Sequence, residues 1–164
     1  MSTTDNLKAA FAGESQANRK YTAYAKKADQ DGLPGVARLF RAAAAAETVH
    51  ALGHFRALGG VQDTLANLQD AAGGEQFEFT KMYPPFVAEA KKEGHAAGQR
   101  SMEYALDAEK GHFAFYTEAI AALKAGKDLP VARFYVCPIC GHTVAGLAPD
   151  ACPVCGTRKF DEIV

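Results

Sequence analysis

The sequence predicts an all-α four-helix bundle followed by a small β-rich module. Three observations predict it. Four alanine-rich stretches of helical length are separated by tight breaks. Two Glu-x-x-His motifs, at Glu47/His50 and Glu109/His112, are phased with further glutamates. All four cysteines lie in the tail, at 137, 140, 152 and 155.

The first stretch opens on Thr3, Thr4 and Asp5, which offer caps, and runs to about Gln30. Asp31-Gly32-Leu33-Pro34 is a break, with glycine as a stop and proline suited to the first turn of the next helix. The second helix then extends to about Leu58 and stops at Gly59-Gly60. Asp63 or Thr64 opens the third, which reaches Glu93-Gly94. Gly73-Gly74 and Pro84-Pro85 sit inside it, and the prolines predict a kink or a loosened turn, because a proline ring clashes with the carbonyl four residues back. The fourth helix spans about Ala96 to Ala125. AGKDLP (125–130) reads as a linker, after which FYVCPICGHTVAG and ACPVCGTRKFDEI are turn-rich and β-leaning. The expected domains are therefore residues 1–130 and 131–164.

Of 164 residues, 48% are hydrophobic, enough for a core and against disorder. Eighteen basic residues face nineteen acidic ones, so neither nucleic acid nor an anionic membrane is an expected partner. No run approaches the roughly 18 apolar residues of a membrane span. MSTTDNLKAAF lacks the charged and apolar regions of a signal peptide, so the expected location is cytoplasmic. In a reducing compartment, clustered cysteines favour metal over disulfides.

Residues i and i+3 share a helix face, so each Glu-x-x-His projects a carboxylate and an imidazole together. Such pairs on two helices, with a glutamate from each of the other two, form the core of carboxylate-bridged di-iron bundles. The first helix offers Glu14; the third offers Glu75 and Glu78. Glu14 precedes Glu47 by 33 residues, and Glu75 precedes Glu109 by 34. Tyr21 follows Glu14 at +7 and Tyr83 follows Glu75 at +8. The chain thus reads as two copies of one helix pair, each bringing a Glu and a Glu-x-x-His. The alanine run before Glu47 lets helices approach closely around the metals. Glu78 breaks the repeat, since its counterpart in the first helix is Ala17. It gives one metal a spare carboxylate.

One Glu-x-x-His alone is a common surface pattern; the phased repeat is what points to metal. Glu89 lies roughly 16 Å along the helix from Glu78 and reads as a surface charge. His54 reads as a packing or solvent-facing residue, and His95 as a helix-end residue. Tyr21 and Tyr83 are either core or hydrogen-bond partners of the carboxylates.

Cys137-Pro-Ile-Cys140-Gly and Cys152-Pro-Val-Cys155-Gly are two knuckles suited to a tetrahedral Cys₄ site. Spacing fixes the thiolates but leaves iron and zinc open; iron would make the module a one-electron carrier and zinc a structural element. Tyr135 and Phe160 can shield the site or form its core. His142 is not needed as a ligand.

With AGESQANRKYTAYA in the first helix, E-x-x-H-A at Glu47–Ala51, GEQFEFTKMYPPF in the third, A-E-x-x-H in the fourth and the two C-x-x-C pairs, the whole chain resembles a rubrerythrin. The resemblance implies a ferritin-like di-iron bundle followed by a rubredoxin-like metal-binding module. It implies Glu47 and Glu109 bridging two irons, Glu14 terminal on the first, and Glu75 and His112 terminal on the second. His50 and Glu78 would exchange on the first iron as it is oxidised, and Tyr21 and Tyr83 would hydrogen-bond to ligating glutamates. The alanine-rich second helix, His54 and His95 depart from the family pattern and bear on surface contacts.

The implied function is a non-haem di-iron peroxidase that reduces hydrogen peroxide to water in oxidative stress defence. Electrons would pass from rubredoxin or an NAD(P)H-dependent reductase through the Fe(Cys)₄ site. The residues at its catalytic heart would be Glu78, His50, Tyr21 and Tyr83, in a homodimer. The alternative is a ferritin-like ferroxidase or iron-handling protein with a structural zinc ribbon. A non-enzymatic binding module is the third reading.

Overall fold

The computed structural model describes residues 2–131 and 133–164. Its elements follow the order α1 (Thr3–Gln30), α2 (Pro34–Ala57), α3 (Thr64–Phe77), a π-helical turn (Glu78–Met82), α4 (Tyr83–Lys92) and α5 (Ala96–Lys124). Three short strands then form the tail: β1 (Phe134–Val136), β2 (Thr143–Ala145) and β3 (Asp161–Ile163). The compact units are Met1–Gln62 and Asp63–Val164.

In the first unit, α1 starts one residue before the expected caps. Ser2 is its N-cap: the Ser2 hydroxyl accepts from the Asp5 N–H, and the Asp5 carboxylate accepts from the Ser2 N–H, a capping box. After a turn at Asp31–Leu33, α2 runs back along α1. The pairing is antiparallel, since Phe11 stacks on Phe55 at 5.0 Å while Tyr21 lies 6.2 Å from Phe40. The buried positions of α2 are Ala37, Ala44 and Ala51, seven residues apart. This is a seam of minimal side chains, to which the alanine run at 42–46 contributes only Ala44 as a buried position. Helix α2 ends where Gly60 N–H bonds to Phe55 carbonyl and Gly59 takes a φ of +70°. A Cβ on Gly60 would lie 2.2 Å from the Phe55 ring, so only glycine lets the chain turn there.

In the second unit, the helix expected over 63–93 is divided. Asp63 caps α3 by accepting from Ala66 N–H, and Gly73-Gly74 continue the helix without a break. The loosened turn falls where the prolines require it. Tyr83 N–H reaches back five residues to Glu78 carbonyl, widening the turn ahead of Pro84, whose ring would otherwise press on Thr80 carbonyl. A short connection at Glu93–His95 then returns the chain into α5. His95 is the N-cap of α5, its Nδ1 accepting from Gly98 N–H at 3.0 Å. Glu89, at the surface, pairs with Lys92 at 3.0 Å.

The three strands form an antiparallel sheet in the order β2-β1-β3, with Val136 opposite both Thr143 and Asp161. The core of this tail is the cysteine cluster itself: Cys137, Cys140 and Cys152 are buried, and Tyr104, Val154 and Phe160 pack on them. Phe160 thus shields the site as expected. Tyr135 does not. Its role falls to Tyr104 from α5, while the Tyr135 hydroxyl meets Arg133.

Candidate metal centres

In the first unit Glu14, Glu47 and His50 bring one ligand atom each within 4.8 Å of one another. Glu14 comes from the middle of α1; Glu47 and His50 share a face of α2, with His50 Nδ1 2.9 Å from Glu47 Oε2. The register that aligns the two helices is pinned by Asn18, one turn beyond Glu14. This buried amide donates to Ala44 carbonyl at 2.6 Å and to Thr48 Oγ1 at 2.8 Å, the residues on either side of Glu47. Its oxygen accepts from the Arg19 guanidinium at 2.8 Å. Tyr21 packs its ring against Tyr24 and Phe40.

The second unit repeats the arrangement with Glu75 from α3 and Glu109 and His112 from α5, again within 4.8 Å. His112 Nδ1 lies 2.8 Å from Glu109 Oε2 and 3.7 Å from Glu75 Oε1. The surroundings here are denser. Burial, then the hydrogen bond to and charge of Glu109, and the charge of Glu78, push the Glu75 carboxyl up to about 7. Burial and Glu109 also raise Glu78, which opens the π-helical turn beside the triad. Tyr83 is raised by burial and by the charges of Glu109, Glu78 and Glu75, so its hydroxyl sits among them.

These residues fit a cation. Glu75 Oε2 is buried without a hydrogen-bond partner, and protonation of one carboxyl is the only relief for several facing acids. A metal ion would satisfy the orphaned oxygen and neutralise the repulsion together. Three ligands of mixed carboxylate and imidazole type suit iron or a similar transition metal.

In the tail, the four sulfurs lie within 4.8 Å of one another, with Cys137–Cys155 at 3.4 Å and Cys140–Cys152 at 3.5 Å. These are far from a bonded pair and close to the roughly 3.8 Å edge of a tetrahedron with bonds of about 2.3 Å. The two knuckles are built alike. Gly141 N–H bonds to Cys137 carbonyl and Gly156 N–H to Cys152 carbonyl. Both glycines take a positive φ, +79° and +76°. Burial opposes a Cys137 thiolate, but the N–H groups of Cys140 and Ile139 outweigh it, with help from neighbouring thiols, and lower it to about 7. Burial raises Cys140. Four sulfurs gathered this closely, with backbone N–H groups favouring a thiolate at Cys137, form a cluster suited to a cation.

Four contributors escape the sequence reading. Asn18 carries no chemical signature. Tyr104 reaches the cysteines from another element. Tyr116, raised by burial and by Glu75 and Glu109, lies at +7 from Glu109, the offset that relates Tyr21 to Glu14. That offset was its signal. Thr143 Oγ1 meets His112 Nε2 at 2.9 Å across 31 residues. Nothing in the spacing announces it.

Known proteins share this combination. A family model described as Rubrerythrin matches residues 5–120. Rubrerythrin-2 of Clostridium acetobutylicum is 33% identical, over 96% of this chain and 93% of its own. Nigerythrin of Nitratidesulfovibrio vulgaris is 39% identical, over 96% of this chain and 84% of its own. Structures of nigerythrin in its mixed-valent and fully reduced, all-ferrous states align over 99% of this chain and 87% of theirs. Their TM-scores are 0.56 and 0.58, at 35% and 34% identity. The architecture is theirs: the four-helix-bundle class followed by a small antiparallel sheet bearing clustered cysteines. With two carboxylate–histidine triads and a Cys₄ cluster added to that likeness, this chain belongs to the rubrerythrin family.

Proposed function

We propose that this chain is a non-haem di-iron peroxidase that reduces hydrogen peroxide to two waters, with electrons arriving through an Fe(Cys)₄ site. The observation that carries the reading is the pairing of carboxylate–histidine triads with a Cys₄ cluster that packs on α5, the helix supplying Glu109 and His112. An iron depot has no use for an electron port.

The functional modules on this reading are residues 1–130 and 131–164. Glu14, Glu47, His50, Glu75, Glu78, Glu109 and His112 would be the residues that hold the bundle irons, Glu47 and Glu109 in the shared role that the family resemblance implies; Cys137, Cys140, Cys152 and Cys155 would hold the third. Bound there, two ferrous ions supply Lewis acidity and one electron each, so that peroxide, two electrons and two protons give two waters. The protein's task is to deliver those protons and to absorb the change in charge. Tyr83, whose proton is held by burial and then by the charges of Glu109, Glu78 and Glu75, would keep the ligating glutamates oriented; the family resemblance gives Tyr21 the same role beside Glu14. Glu78 sits on a π-helical turn, where the backbone hydrogen bonding is looser than in an α-helix. That looseness would let the Glu78 carboxylate shift its position, as suits the exchanging role that the family resemblance gives to Glu78 and His50. The chain acts as a homodimer in the cytoplasm, re-reduced by rubredoxin or an NAD(P)H-dependent reductase. Among the described residues, no helix is long and apolar enough to cross a membrane.

The test is anaerobic. The iron-loaded, fully reduced protein is mixed with one equivalent of hydrogen peroxide, and the colour of the ferric Cys₄ site is followed by stopped flow; O₂ replaces peroxide in a second run. Fast re-oxidation by peroxide and slow by O₂ is expected. An absent colour, or O₂ reacting as fast as peroxide, would transfer the assignment to iron handling with a structural zinc ribbon.

A further inference from the structure

We propose that Thr143 is a positioning residue for the metal ligand His112. Through it, the first cysteine knuckle is hydrogen-bonded to the carboxylate–histidine site of its own chain. The inference rests on the reading of His112 as a ligand, and it concerns what fixes that ligand.

The two imidazole nitrogens have different surroundings. Nδ1 faces Glu109 Oε2 at 2.8 Å and Glu75 Oε1 at 3.7 Å, so it is the nitrogen that a shared cation takes. Nε2 faces Thr143 Oγ1 at 2.9 Å. An imidazole that ligates through Nδ1 carries its proton on Nε2, and Nε2–H then donates to the threonine oxygen. A hydroxyl has a single proton to give. Having accepted from His112, Thr143 gives its own to Gly141 carbonyl, 3.2 Å away. The direction is consistent from His112 Nε2–H through the Thr143 hydroxyl to the carbonyl of Gly141, the residue after Cys140.

Both ends of this relay are held. Thr143 opens β2 opposite Val136, and Cys137 N–H bonds to His142 carbonyl just before it. The position of its hydroxyl is therefore set by the Cys137–Cys140 knuckle. On the other side, a Cβ on Gly141 would lie 3.9 Å from Ala108 Cβ, and Ala108 is buried. The knuckle thus lies beside α5 with room for no more than a Cβ in ordinary contact, one residue before Glu109. A cavity of about 320 Å³ beside this contact is lined by Tyr104, Glu109, His112, Ile139 and Cys140 together. Valine in place of Thr143 would keep the shape and the methyl group but leave Nε2–H without its acceptor.

The experiment uses the full chain with iron in the Cys₄ site and cobalt(II) titrated into the bundle. In wild type, a paramagnetically shifted, slowly exchanging imidazole N–H from His112 is expected in the proton NMR spectrum; His112→Gln, which lacks it, assigns the signal. In Thr143→Val that proton should exchange much faster, and cobalt should bind the Glu75/Glu109/His112 site about 10-fold more weakly. Thr143→Ser should restore both. Unchanged exchange and affinity in Thr143→Val would overturn the proposal. So would equal losses in Thr143→Val and Thr143→Ser, because serine keeps the hydroxyl and its failure to rescue would show that the hydroxyl is not what fixes the imidazole. None of these readouts depends on peroxide. A failed peroxidase reading would appear in the stopped-flow trace while the cobalt result stood.

Discussion

The two triads have the same ligand types at nearly the same spacing, yet they occupy different settings. His50 is half exposed, at 54%, whereas His112 is at 29% and has partners on both ring nitrogens. Glu14, Glu47 and His50 are backed by alanines and by Asn18, which fixes register without touching a carboxylate. Glu75, Glu109 and His112 are surrounded by Glu78, Tyr83, Tyr116 and Thr143. The repeat duplicated the ligands. Of the neighbours that set proton affinity and ligand orientation, Tyr83 has a counterpart in Tyr21 but Glu78 and Thr143 have none at the first triad, and they give the second its distinct setting.

The strongest way to break the comparison is to remove the equivalent carboxylates. Glu109→Ala and Glu47→Ala should each lose the bundle irons while retaining the Cys₄ iron, visible as metal content and as retained ferric–thiolate colour. The loss of peroxide turnover should exceed the roughly 10–100-fold typical of residues that only support a ligand. Metal-free, the two variants should diverge. Glu109→Ala relieves the charge beside Glu75 and Glu78 and should raise the melting temperature. Glu47→Ala leaves His50 without its partner and should not.

Next in size is Asn18→Ala. It removes two side-chain hydrogen bonds between α1 and α2, to the Ala44 carbonyl and the Thr48 hydroxyl, at a cost of about 1–3 kcal/mol. Hydrogen exchange should locate the loss in α1 and α2, with protection in α5 unchanged. Equal loosening of α5 would show that Asn18 does more than set the α1–α2 register.

Protonation distinguishes the triads at a smaller scale. Glu75 holds its proton up to about pH 7 in the folded, metal-free chain, against about 4.5 when unfolded. Between these values the folded chain binds the extra proton, so metal-free stability should fall as pH rises through this window and level off above it. The side chain keeps 18% exposure, so the loss is on the order of 1–3 kcal/mol. Glu75→Gln should flatten the slope in urea titrations at pH 5, 6, 7 and 8. Cation affinity should run the other way and strengthen as pH rises, because the metal must displace that proton.

The parts legible in the sequence are those written in a local period. Glu47 with His50, Glu109 with His112 and the two cysteine knuckles each fit within one helical turn or one tight turn, and residue type and spacing carry the information. Pro84-Pro85 likewise announced a loosened turn, though not that it would be π-helical and begin at Glu78. Asn18 against Ala44, Tyr104 against the cysteines and Thr143 against His112 are contacts between separate elements, which depend on how helices and sheet pack. Ordinary residue types at arbitrary separations leave no pattern to read. The compact units show the same limit: the boundary at Gln62/Asp63 follows contact density, which no motif encodes.

The smallest effect is also the most direct test of what the extra carboxylate contributes. Ala17 stands where the repeat would place a counterpart of Glu78, three residues after Glu14 and partly buried on α1. Ala17→Glu therefore gives the first triad the third acid that the second already has. Metal-free, a like charge one turn from Glu14 should destabilise by about 0.2–0.5 kcal/mol and lower the melting temperature slightly. With cobalt bound, the same carboxylate becomes a candidate ligand, and the difference should shrink or reverse. Reversal would mean that the number of acids alone controls affinity at either triad. A deficit that persists in the loaded protein would mean that Glu78 depends on its π-helical turn, since Ala17 lies in unbroken α-helix and a side chain there cannot swing in the same way. The second outcome is the one expected, because α1 satisfies every backbone bond around residue 17 and has no slack to lend.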